Sequence, residues 1–227
     1  MARAIRIHRT RAPANEAARL LAEAIAAADA RRGAARLAVP GGSALAALGP
    51  ARARLAPEVW VRLRLTWVDE RCVPVAHPDS NRGAARRLGL LDPRRPPGFE
   101  LPLFLDGESP AEAVRRVEEG MRRDFESGID VLLLGLGEDG HVASLFPGHP
   151  ALGATGLATA ISDSPKPPGE RVSLTLPALA TAAVALVFAV GEAKRPALER
   201  LLGGDPALPA SRLRGLVLIT DLEIEGS

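Results

Sequence analysis

Residues 135–148 read GLGEDGHVASLFPG and directly follow IDVLLL, an apolar run of the kind that a sheet buries on both faces. A histidine in a glycine-flanked loop at the end of such a strand, here His141, can be accessible and neutral near pH 7, the state a general base needs. Asp139 stands two residues earlier and Glu138 beside it, so a carboxylate is available to fix the imidazole tautomer, and Asp139 is the favoured partner. Gly137 and Gly140 complete the constellation. His149, one residue past the FPG turn, has no such neighbours in sequence.

Two further segments combine chemically active side chains with turn residues. In PGGSA, Gly41 and Gly42 can adopt backbone angles closed to other residues and bring N–H groups close to a ligand, while Ser43 adds a hydroxyl where a helix begins. That pattern suits a phosphate cradle and equally an ordinary strand-to-helix turn capped by Ser43. In DERCVPVAHPDSN, Asp69, Glu70 and Arg71 are consecutive and cannot all point one way from an extended segment. One acid is expected to face the ligand and the other to brace the loop. Ser80 and Asn81 cap a helix starting near Arg82, whose guanidinium is expected to grip an anionic substrate bidentately. His77 and Cys72 read as packing or loop residues. No two histidines have helical ligand spacing, so no metal is expected, and no G-x-S-x-G elbow supplies a serine nucleophile.

Regular elements must hold these segments. Residues 15–32 are alanine-rich, with Leu20, Leu21 and Ile25 at helical spacing and Gly33 as a stop, which predicts a helix. Residues 34–39 predict a strand running into PGGS, and 44–55 a second helix. Residues 61–68 (VRLRLTWV) predict a strand ending at DER. Ser109, Pro110 and Glu112 form a capping box ahead of the apolar stripe Val114, Val117, Met121 and Phe125. Residues 129–134, 172–176, 184–190 and 216–219 predict further strands, and the proline-rich stretches 93–102 and 165–168 surface loops. This alternation points to an α/β fold, a mainly parallel sheet flanked by helices on both faces, in one domain spanning 1–227. In such sheets ligands bind beyond the carboxyl ends of the strands, where all three segments fall.

Bulk composition narrows the class. With 47% hydrophobic residues the chain can bury a large core, and a formal charge of +2 argues against nucleic acid as a partner. Arginine outnumbers lysine 27 to 2, and the basic doublets Arg94/Arg95, Arg115/Arg116 and Arg122/Arg123 are scattered, as on solvated faces. A lone cysteine fits a reducing compartment. The first residues lack the apolar core of a secretory signal, and no apolar stretch reaches the ~18 residues of a membrane span. A soluble, cytoplasmic protein with no membrane partner is expected.

VPGGSALAAL, DERCVPVAHPDSN and GLGEDGHVASLFPG together closely resemble sequence blocks of the 6-phosphogluconolactonase family, and RVSLTLPAL and VGEAKRPAL extend the resemblance over residues 39–202. The resemblance implies a Rossmann-like sheet similar to those of glucosamine-6-phosphate deaminase and ribose-5-phosphate isomerase. It implies hydrolysis of the 6-phosphogluconolactone ring to 6-phosphogluconate in the oxidative pentose phosphate pathway, with no cofactor and no metal. His141 would be the general base, and Arg71 and Lys194 substrate or phosphate contacts. Gly41, Gly42, Ser43, Asp69, Glu70, Ser80, Asn81, Arg82, Gly137 and Gly140 would complete the binding site. Pro40 and Ala44 stand where the family usually has a serine and a hydroxyl or basic residue, which shifts phosphate binding toward backbone N–H groups, Arg71, Arg82 and Lys194. The deaminases share much of this pattern but place a glutamate five positions after the histidine, where this chain has Phe146. A non-catalytic sugar-phosphate-binding domain of a transcription regulator is the remaining alternative, and residues 1–34 do not read as its helix-turn-helix.

Overall fold

The computed structural model describes residues 5–126 and 128–224. The chain opens with strand β1 (Arg6–Arg9) and helix α1 (Pro13–Arg32). Alanines let α1 lie close on the sheet: Ala17, Ala18, Leu21, Ala22, Ile25 and Ala28 form its buried face, and Gly33 ends it in a left-handed conformation, donating its N–H to Asp29 O. Strand β2 (Arg36–Val39) follows, then a 3-10 turn (Ser43–Ala47) that leads into α2 (Leu48–Arg54) and α3 (Pro57–Trp60). The second predicted helix therefore begins as a tighter turn, and the predicted strand 61–68 narrows to β3 (Arg64–Trp67).

The DER segment, expected as a loop, is itself a short strand, β4 (Asp69–Arg71), and α4 (Asn81–Arg87) starts after Ser80. An edge strand, β5 (Phe99–Leu101), interrupts the proline-rich stretch read as loop. The capping box forms at Ser109 and Glu112 and opens α5 (Pro110–Asp124), whose Val117 and Met121 are buried, with Phe125 just beyond. Next come β6 (Val131–Gly135), β7 (Ala158–Ile161), β8 (Arg171–Leu174), α6 (Leu176–Leu179), β9 (Val184–Phe188), α7 (Arg195–Leu202) and β10 (Leu216–Thr220).

Seven strands form one parallel sheet in the order β1-β10-β9-β6-β2-β3-β5. Its inner strands are buried at successive residues, four of four in β2 and five of five in β10, which requires cover on both faces. From β2 the chain builds outward through β3 and β5; from β6 it builds the other way through β9 and β10. The switch point of this doubly wound sheet lies between β2 and β6, where the ladder shrinks to two residue pairs against five for β6 and β9. The strand read at 172–176 does not join this sheet. It is β8, and with β4 and β7 it makes a separate antiparallel sheet.

Candidate active site

A cleft of about 290 Å³ opens at the switch point, near the low end of ligand-pocket volumes. Its floor is Pro40–Gly41–Gly42–Ser43–Ala44 after β2 and Gly135–Leu136–Gly137 after β6. Asp69 and Arg71 from β4, Asn81 from α4, Arg171 from β8, Lys194 from a 3-10 turn (Glu192–Lys194), and Lys166, His141 and Ala143 from loops make the walls.

His141 is held from three directions. Its Nδ1 lies 2.6 Å from Asp139 Oδ1, its ring leans on Phe146 with centroids 4.5 Å apart, and its carbonyl accepts the Gly137 N–H. With the Nδ1 proton donated to Asp139, Nε2 keeps its lone pair. Burial lowers the imidazole pKa from its ordinary value, against the opposing pull of Asp139, so the neutral form prevails near pH 7. Asp139 is held below the ordinary carboxylate range by its bonds to His141, which outweigh burial. Glu138 is exposed and lies outside the cleft, so of the two acids it is Asp139 that meets the ring.

The two acids of β4 divide as strand alternation demands. Asp69 lines the cleft and accepts the Ser144 hydroxyl at 2.6 Å. Glu70 points the other way, accepting N–H groups of Arg71, Asn81 and Arg82 and the Ser80 hydroxyl. Burial pushes the Glu70 carboxyl up from its ordinary range while those N–H groups pull it down. Ser80, the N-cap of α4, is thus part of the brace and does not line the cleft. Asn81 does: its amide donates to Asp69 O, and it packs so closely on Gly41 that a Cβ there would lie 1.8 Å from Asn81 Oδ1.

Arg82 corrects the expectation drawn from sequence. Its Nε donates to Glu100 on edge strand β5 at 2.7 Å, and it does not line the cleft. Gly140 also stays out, turned at φ 89 and pressed on Leu208, whereas Gly137 lines the cleft against the imidazole. Arg71 and Lys194 do face it; Arg71 Nη1 donates to Asp79 O, and its buried Nε has no protein partner.

Two cations went unnoticed in the sequence. Arg171, 3% exposed, reaches Ser144 Oγ at 3.2 Å and Asp69 at 3.8 Å, and burial works against its charge while Asp69 supports it. Lys166 sits 3.8 Å from Asp139. The available signal was scarcity: in a chain of 27 arginines, both lysines line this cleft. Among the described residues no group of three or more His, Cys, Asp or Glu side chains is placed to hold a metal ion, and no helix is long and apolar enough to cross a membrane.

Fold and cleft together define a doubly wound α/β protein whose switch-point cleft gathers a histidine and four cations. The chain belongs to the family of glucosamine-6-phosphate isomerases and 6-phosphogluconolactonases, whose model matches residues 8–218. It is 37% identical to the 6-phosphogluconolactonase of Rattus norvegicus, over 82% of this chain and 76% of that one. It is 38% identical to that of Streptomyces coelicolor, over 88% and 82%. Among solved structures, the 6-phosphogluconolactonase of Thermotoga maritima shares the fold at a TM-score of 0.82 and 24% identity, covering 96% of this chain and 99% of that one. That of Trypanosoma brucei superposes at 0.72 with 27% identity, covering 96% of each.

Proposed function

We propose that the chain hydrolyses the ring ester of 6-phosphogluconolactone, with His141 Nε2 as the general base. Supporting this is one observation above all: an imidazole with its Nδ1 taken by Asp139 faces a cleft that also holds Arg71, Lys166, Arg171 and Lys194. The curated relatives named above are 6-phosphogluconolactonases.

A lactone carbonyl is already electrophilic, so the site need only hold the ring, activate water and stabilise the developing oxyanion. The phosphate rests against the N–H groups of the Gly41–Gly42 turn and the cations. Water attacks the carbonyl carbon as its proton passes to Nε2; the tetrahedral intermediate then collapses, the ring C–O bond breaks, and Nε2 returns the proton to the departing oxygen. Asp139 stabilises the imidazolium between these steps.

Deamination of glucosamine 6-phosphate is disfavoured because Phe146, buried against the imidazole, stands where an acid would be needed. The deciding experiment is a lactone assay with the spontaneous rate subtracted, run beside ammonia release from glucosamine 6-phosphate. Lactone cleavage without ammonia is expected; ammonia release, or no acceleration over spontaneous hydrolysis, refutes the proposal.

A further inference from the structure

The second histidine of the loop after β6 has no part in the chemistry above. His149 is outside the cleft, and its side chain is only 12% exposed. Its Nδ1 accepts the Ala151 N–H at 3.1 Å, as the N-cap of a 3-10 turn (Pro150–Gly153), so the neutral ring carries its proton on Nε2. That nitrogen stands 3.1 Å from Asp163 Oδ1. The ring also meets Phe146 edge-on at 6.3 Å, and Phe146 is the platform under His141. Both nitrogens of His149 are committed, which leaves it no capacity as a second base.

Asp163 lies near the start of the connection between β7 and β8, residues 162–170, which carries Lys166. Ser164 N donates to Gly169 O and Ser164 Oγ to Lys166 O, which closes the connection on itself. From below, Arg171 donates to the carbonyls of Lys166, Pro167 and Pro168. At its end Cys72 N donates to Glu170 O, and Lys166 itself lies 3.8 Å from Asp139; at its start His149 holds Asp163, which fastens the connection to the turn that carries Phe146.

We infer that His149 is a positioning residue: through Asp163 it clamps the 162–170 connection to the histidine loop and thereby holds Lys166 beside the cleft. Arg171 grips the connection near its far end, so losing the clamp frees one end without releasing the whole. Lys166's part in binding rests on the lactonase proposal, whereas the clamp itself does not.

Asp163 is 72% exposed, so Asp163→Ala disturbs no core packing and keeps the fold, leaving the His149 Nε2–H without its acceptor. His149→Asn retains an N-cap acceptor for Ala151 but is too short to reach Asp163. Two measurements on the full chain test the clamp. In hydrogen exchange, both variants should speed exchange across residues 162–170 while α5 keeps its wild-type rates. In the lactone assay each should raise KM about two- to fivefold with little change in kcat, the scale of one hydrogen bond. Lys166→Ala should raise KM as well, and adding Asp163→Ala to it should raise KM no further, because the clamp acts through that lysine. Wild-type exchange rates in 162–170 of Asp163→Ala refute the clamp whatever the enzyme's activity. Faster exchange with fully multiplicative effects in the double variant refutes its action through Lys166. A chain that hydrolyses no lactone sinks the proposed function and leaves the exchange result to judge the clamp alone.

Discussion

Asp139 Oδ1 stands 2.6 Å from Nδ1 of His141, on a residue only two positions earlier in the chain. So short a link is possible because Gly140 between them takes φ 89, folding the backbone so that the carboxylate turns back to the ring and also accepts the His141 N–H. The pair serves catalysis through its tautomer. Removing the base, His141→Ala, is expected to lower kcat by about 10²–10⁴. Asp139→Asn should lower kcat by about tenfold or more with little change in KM, since an amide can also present its N–H to Nδ1 and favour the wrong tautomer. Initial rates of lactone cleavage, corrected for spontaneous hydrolysis, check both.

The pH profile follows from the same contact. Burial lowers the His141 pKa, and Asp139 raises it without cancelling that effect. Activity that needs the neutral ring is full above the folded pKa and lost as pH falls through it, so the acid limb of kcat/KM belongs below the ordinary ~6.5. Asp139→Asn removes a contribution that raises the pKa, so the limb of that variant should move further to the acid side. A limb that moves toward neutrality contradicts this electrostatic account.

Much of this site was legible because its chemistry is local. Strand β6 announces itself by unbroken apolar residues, and His141, Asp139 and Gly137 all lie in the stretch that follows it. Strand alternation also foretold that Asp69 and Glu70 would face opposite ways, although which one faces the cleft is decided by pairing of β4 with β8. What was hidden depends on partners far along the chain. Arg82 looked free because its partner, Glu100, lies in a proline-rich stretch that gave no strand signal. Arg171 and Lys166 reach the cleft only because β8 leaves the main sheet to pair with β4, an antiparallel choice no local pattern encodes. His149 looked isolated for the same reason, as Asp163 comes from the β7–β8 connection.

Arg82 and Arg171 consequently part company on mutation. Arg82→Ala breaks a partly buried pair with Glu100, which also faces the Trp67 indole, and should cost about 1–2 kcal/mol of stability while leaving KM close to wild type. Arg171→Ala removes a cleft cation together with its hold on the carbonyls of Lys166, Pro167 and Pro168, and should lower stability as well as raise KM for the phosphorylated lactone about tenfold or more. Urea unfolding and steady-state kinetics on both variants read the two effects separately. A large KM effect at Arg82 with none at Arg171 would reverse the assignment.

Gly137 offers the sharpest test of how closely the base must be seated. A Cβ at this position would lie 2.1 Å from His141 Nδ1, 2.4 Å from Cε1 and 2.5 Å from Asp139 Oδ1. The atoms it meets are all side-chain atoms of the proposed base and the carboxylate that orients it, so the backbone can keep its path while the imidazole swings off its partner. Gly137→Ala should therefore retain a melting temperature near wild type but lose about 10- to 100-fold in kcat, the cost of displacing a reacting group by an ångström or so. In the wild-type protein, nitrogen-15 shifts of the imidazole should mark Nδ1 as the protonated nitrogen, and the variant should show a mixture of tautomers. Full turnover in Gly137→Ala would mean that the ring tolerates displacement and that the contact with Asp139 is not what prepares it.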